Sequence, residues 1–400
     1  MQPGSRNNLL VVGSHRGTTS QRYETAFHEY VHYVFRNATS FQYPTWYDEG
    51  LADLLSTIRG IEGGVSVGEV PASRAYAYRQ YEPMPLREIL TVQSTSALAR
   101  EDRARFYAGS WLFAHYLQMN AGSEDGARRA RQSLDYLGRI DQGRDRLAAF
   151  VEAFDMPVAE MDAALRTYAG GKLTALMLPD SMFDYNDEFT RRRLSRNEIA
   201  YALGHAVLEF HPEEAARFFG GNVKRAPDDV RSWAALGVAL AKQGKLDEAR
   251  AAVDVATAAD LQDPIVHLDI AGFLRVSCEG RSELPACAPS ELNRKMLEAV
   301  ERAHELAPEL FEVNYQLGVL RLQLRDGERA VEALERARSF LPSHYGATKI
   351  LGVAYWQVRD YERAERYLTR ALGWSADNQA ENLNVRSLLQ QLAMAKQLSR

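Results

Sequence analysis

Residues 311–342, FEVNYQLGVLRLQLRDGERAVEALERARSFLP, and residues 345–374, YGATKILGVAYWQVRDYERAERYLTRALGW, carry the same pattern twice. Each opens with a helix containing Leu-Gly (Leu317-Gly318, then Leu351-Gly352), followed by a helix with small residues on one face (Ala330 and Ala337, then Ala364 and Ala371). The two Leu-Gly pairs lie 34 residues apart. A fixed period of that size marks a stacked array, in which one helix pair cannot bury its apolar face alone and completes its core against the next.

Working outward, Trp233, Leu236, Gly237, Ala249 and Ala256 form an earlier unit. Another begins at Pro264, is interrupted by the loop CEGRSELPAC, and resumes with Met296, Val300, Ala303 and Pro308. A degenerate unit around Leu203, Gly204 and Ala215 opens the array, and the polar helix near 381–398 closes it as a cap. The period and the small-residue positions resemble tetratricopeptide repeats, which implies an all-α solenoid over 195–400 whose concave face holds a peptide or protein partner. Cys278 and Cys287, nine positions apart, are placed to staple the interrupting loop, or stand as two reduced thiols.

Before residue 190 the repeat disappears. NLLVV (8–12) reads as a strand, 23–35 and 44–58 as helices, 63–70 as a hairpin-like β segment, and 103–119 and 126–168 as longer helical stretches. The segment 172–188, with a proline and an acidic cluster, reads as the linker. Two domains follow, residues 1–180 and 195–400, as a chain of 400 residues leads one to expect.

The first domain carries His28-Glu29-Tyr30-Val31-His32 within a helical stretch. Residues four apart share a helix face, so both imidazoles can reach one metal ion, with Glu29 beside them. The uncharged flanks TAF and YVHYVF are expected to bury this helix and keep the site dry. Pro44-Thr45-Trp46-Tyr47-Asp48-Glu49-Gly50-Leu51-Ala52-Asp53 then offers a carboxylate ligand, Glu49, and a second carboxylate four residues on, Asp53, suited to accept the free ring N–H of a ligand histidine. Two His and one Glu make a catalytic zinc set with one position left for water.

HEYVH followed by WYDEGLAD resembles the peptidase MA-like proteins of the gluzincins, the thermolysin-like clan, whose pattern is H-E-Y-x-H and then W-x-x-E-G-x-A-[DE]. The resemblance covers roughly residues 8–175. It implies an α+β zincin-like domain, mostly helical with a small sheet, that binds Zn2+ through His28, His32 and Glu49. It further implies Glu29 as general base in peptide-bond hydrolysis. Phe106 to Trp111 resembles a downstream family segment, which makes Tyr107 a candidate donor to the oxyanion. The family places several strands ahead of the active-site helix where only NLLVV stands here, which points to a sequence that starts late. The alternative is an inactive zincin-like domain in a repeat scaffold.

Composition narrows the classes. Hydrophobic residues make up 46% and charged residues 25%, and no apolar run approaches the length of a membrane span. A net charge of -5 supplies no basic field for phosphate backbones, so nucleic acid is not an expected partner. MQPGSRNNLLVVGS lacks the regions of a signal peptide, so the protein is expected to be exported or periplasmic if the start is truncated and cytoplasmic otherwise.

Overall fold

The computed structural model describes residues 19–39, 41, 43–119, 123–183, 192–258, 262–279, 287–375 and 378–398. These fall into two compact units, one of residues 19–183 with 365–398 and one of residues 192–364. The described residues are mostly helical. Among them no helix is long and apolar enough to cross a membrane.

In the first unit α1 (Thr19–Ala38) and α2 (Thr45–Ser56) precede a hairpin of β1 (Arg59–Ile61) and β2 (Gly64–Val67). Then come α3 (Ala72–Gln80), α4 (Leu86–Thr91), α5 (Arg100–Gln118), α6 (Glu124–Asp141), α7 (Arg146–Phe154), α8 (Val158–Ala169) and β3 (Leu176–Pro179). The core is aromatic: Trp46, Phe106, Phe113, Tyr136 and Phe150 are fully buried, and the Trp46 and Phe113 rings lie 4.5 Å apart. Each such side chain contributes roughly 2–3 kcal/mol by leaving water. Residue 50 must be glycine because a Cβ there would overlap the Ser110 carbonyl, and this close approach seats α2 on α5.

Several boundaries differ from the sequence reading. The stretch 126–168 is three helices, broken where Gly143 (φ 84°) and Asp155 (φ 51°) take left-handed backbone. Within 172–188, read as linker, Leu176–Pro179 pairs antiparallel with β2, Val65 opposite Leu178, to give the sheet order β1-β2-β3. This strand is mostly exposed, so backbone pairing rather than apolar alternation defines it. Helices α3 and α4, each starting after a proline, were not anticipated because both are short. The NLLVV segment lies outside the described residues.

The second unit stacks helix pairs in a solenoid: α9 (Arg196–Val207) with α10 (Pro212–Arg225), α11 (Val230–Lys242) with α12 (Leu246–Thr257), α13 (Pro264–Ser277) with α14 (Pro289–Leu306), and α15 (Phe311–Gln323) with α16 (Gly327–Phe340). It continues into α17 (Tyr345–Gln357) and the start of α18 (Tyr361–Trp374). A Cβ at Gly318 would overlap Leu334, which is why the Leu-Gly pattern needs its glycine. The partner positions Ala249, Ala256, Ala303, Ala330 and Ala337 are fully buried. Three of the turns between paired helices share one backbone feature: Gly244, Arg325 and Arg359 all have φ between 63° and 77°. Cys278 and Cys287 form a disulfide.

From residue 365 onward α18, with α19 (Gln379–Leu398), belongs to the first unit. Asp141, at the end of α6, accepts hydrogen bonds from Arg370 Nε (2.9 Å) and Trp374 Nε1 (2.8 Å). The last helices therefore continue the repeat pattern in sequence while packing into the first unit.

Candidate metal centre

Two helices build the site. α1 carries His28 and His32 one turn apart, and α2 carries Asp48, Glu49 and Asp53. Trp46 anchors the start of α2 in the core, and the Gly50 contact fixes its depth, so the carboxylates are presented from a rigid element.

The donors converge. His28 Nε2 lies 3.1 Å from His32 Nε2 and 3.1 Å from Glu49 Oε2, and His32 Nε2 lies 3.5 Å from the same oxygen. Donors bound at about 2.0–2.2 Å around a tetrahedral ion stand roughly 3.3–3.6 Å apart, so the His32–Glu49 spacing falls in that range and the other two are slightly shorter, close enough for the three atoms to share one metal ion. Both remaining ring nitrogens face carboxylates: His28 Nδ1 is 3.0 Å from Asp53 Oδ1, and His32 Nδ1 is 2.9 Å from Asp48 Oδ1. Such partners fix the tautomer that turns each Nε2 lone pair inward.

The electrostatics follow from this crowding. Burial lowers the His28 pKa, but the hydrogen bonds and charges of Asp53 and Glu49 outweigh it and raise it to about 9. Burial likewise works against His32, and Asp48 and Glu49 raise it to about 9. Burial pushes Glu49 up, and the two histidines more than reverse this, holding it at about 2. The cluster thus holds protons strongly, and a metal entering it would displace them.

The structure brings His28, His32, Glu49 and Asp53 together as the spacing suggested. Glu29 follows His28 on α1 and is half-buried. The Tyr107 ring lies 6.5 Å from that of His28, and burial followed by the Glu49 charge pushes its hydroxyl up to about 12, which keeps it a donor. Two participants were missed. Asp48 had a readable signal, a carboxylate next to Glu49 in the same helix. Arg74, which donates to Asp53 from Nε (2.6 Å) and from its terminal nitrogen (2.8 Å), had none, because α3 shows little apolar periodicity. The expectation that the apolar flanks bury α1 is corrected: Tyr23, Phe27, Tyr30 and Val34 are exposed, while Val31 and His32 are buried. Among the described residues a stripe of the helix is covered, since α2 meets it along one face.

Comparison with known proteins bears on the repeats. Tetratricopeptide repeat family models match residues 206–268 and 294–381, so the C-terminal region carries tetratricopeptide repeats. Among solved structures the chain is similar to TTC0263, a thermophilic TPR protein in Thermus thermophilus (14% identity, 50% of this chain and 99% of that one, TM-score 0.37). It is also similar to Pseudomonas aeruginosa pilF (18% identity, 49% and 91%, TM-score 0.37) and to MamA from Desulfovibrio magneticus (17% identity, 46% and 98%, TM-score 0.34). No curated protein matches the chain.

Proposed function

We propose that the first unit is a zincin-like, zinc-dependent hydrolase of peptide bonds and that the repeats hold a protein substrate or partner. The observation that carries this reading is the convergence of His28 Nε2, His32 Nε2 and Glu49 Oε2, with both Nδ1 atoms backed by carboxylates. Zinc held there would supply a Lewis acid and a water of lowered pKa. Glu29 takes the proton from the attacking water and later delivers it to the leaving amine. Tyr107, kept protonated, offers its hydroxyl to the developing oxyanion. The side chains of Asp53 and Asp48 hold the imidazoles in register.

A second reading has support of its own. Both family matches fall in the repeats, and protein interaction through those repeats is the part of the function the comparisons favour. On that reading the chain is a scaffold whose first unit binds metal for structure, or none. Elemental analysis after zinc loading and washing, paired with turnover of a quenched protein substrate, separates the two. The hydrolase reading expects about one zinc per chain, loss of metal in Glu49→Ala, and retained metal with activity down by about 10²–10⁴ in Glu29→Gln. A metal-free wild type, or metal without turnover, leaves the scaffold.

A further inference from the structure

The carboxylate that steadies His28 is itself held. Asp53 is buried, 4% exposed, and Arg74 grips both of its oxygens: Nε donates to Oδ2 at 2.6 Å and a terminal nitrogen donates to Oδ1 at 2.8 Å. Oδ1 is also the atom that faces His28 Nδ1. The guanidinium lies 4.6 Å above the Tyr107 ring on α5, so it is fixed from below as well as at its tip. Arg74 reaches this place because the chain leaves β2, turns at Pro71, the N-cap of α3, and α3 then packs on α5.

We propose that Arg74 is a positioning residue for the metal centre, acting through Asp53 to aim the His28 Nε2 lone pair at the point shared with His32 and Glu49. The inference rests on the zinc reading above. A planar fork matched to a carboxylate sets the rotation of that carboxylate as well as its place, which a single-point ammonium cannot do. Asp53 without the fork turns freely about its last torsion, and Oδ1 no longer points at Nδ1. Tyr107 gains a second role, since its ring supports the fork.

The test uses the full chain as wild type, Arg74→Met, Arg74→Lys, Asp53→Ala and the Asp53→Ala/Arg74→Met double variant. Zinc affinity is measured by competition with a chromophoric chelator, and the ligand field by visible absorption of the cobalt(II)-loaded protein. Arg74→Met should weaken zinc binding about 10-fold and shift the cobalt bands, within the range typical of groups one step behind a ligand. Arg74→Lys, which keeps a positive charge but loses the fork, should fall between wild type and Arg74→Met and serves as the test if Arg74→Met does not fold. The double variant should bind no more weakly than Asp53→Ala alone. Wild-type affinity and cobalt bands in the Arg74 variants, or additive losses in the double variant, would overturn the proposal. A wild type that binds no zinc instead overturns the zinc reading, and the proposal with it.

Discussion

Replacing Asp141 by Ala tests whether the last helices are part of the first unit's core. Asp141 has a side chain 10% exposed and takes hydrogen bonds from Arg370 and from the indole N–H of Trp374, itself 8% exposed. Stranding a buried donor costs about 1–3 kcal/mol, and the bond to the arginine, discounted because its side chain is 30% exposed, adds about 1 kcal/mol. A loss of about 2–4 kcal/mol should move a urea midpoint down by roughly 1 M, taking a slope of about 2–3 kcal/mol/M. Urea titration followed by tryptophan fluorescence reads the midpoint, and hydrogen exchange over residues 365–398 reads where protection is lost. The Asp141→Ala/Trp374→Phe pair should cost less than the two single losses together, because Phe removes the stranded donor. An unchanged midpoint with unchanged protection of 365–398 would refute the reasoning, since it would mean those helices draw their stability from elsewhere.

Two further outcomes are expected. Arg359 occupies a left-handed turn position where the equivalent earlier turn has Gly244, so Arg359→Gly should stabilise the second unit by up to about 1 kcal/mol and Gly244→Ala should destabilise it by a similar amount, both read from urea midpoints. Burial lowers His344 to about 4, and its Nδ1 accepts the Ala347 N–H, so the folded state keeps the ring neutral. A depressed histidine contributes stability that is fully present above its unfolded pKa near 6.5 and is lost as pH falls towards 4, up to about 3 kcal/mol. His344→Asn, which keeps a capping acceptor without titrating, should flatten the fall in midpoint between pH 7.5 and 4.5, and equal falls in both proteins would exclude this role.

The parts of the fold legible in the sequence are those set by local periodicity. The Leu-Gly pairs announce the repeat because the glycine answers to a side chain in its own helix pair, as Gly318 does to Leu334 and Gly237 to Val253. His28 with His32, and Glu49 with Asp53, are legible because each pair sits one turn apart on a single helix. What crosses between helices was harder. Asp48 meets His32 only because of the angle at which α2 crosses α1, and Arg74 meets Asp53 only after the chain has passed through a hairpin and a proline turn. Strand β3 and the return of residues 365–398 are pairings between distant parts of the chain, which no nearby pattern encodes.

That return has a bearing on how the protein is made. A ribosome adds about 5–20 residues per second, so the gap of about 180 residues between positions 183 and 365 delays the second piece of the first unit by roughly 10–40 s. Through that interval the end of α6 has neither Arg370 nor Trp374 to cover Asp141, and the Ile140 carbonyl lacks the close approach of Gly373. The repeats emerge and can stack first. The nascent chain would therefore carry stacked repeats while the first unit still lacks its last helices, and α6 would gain its partners only once those helices leave the exit tunnel.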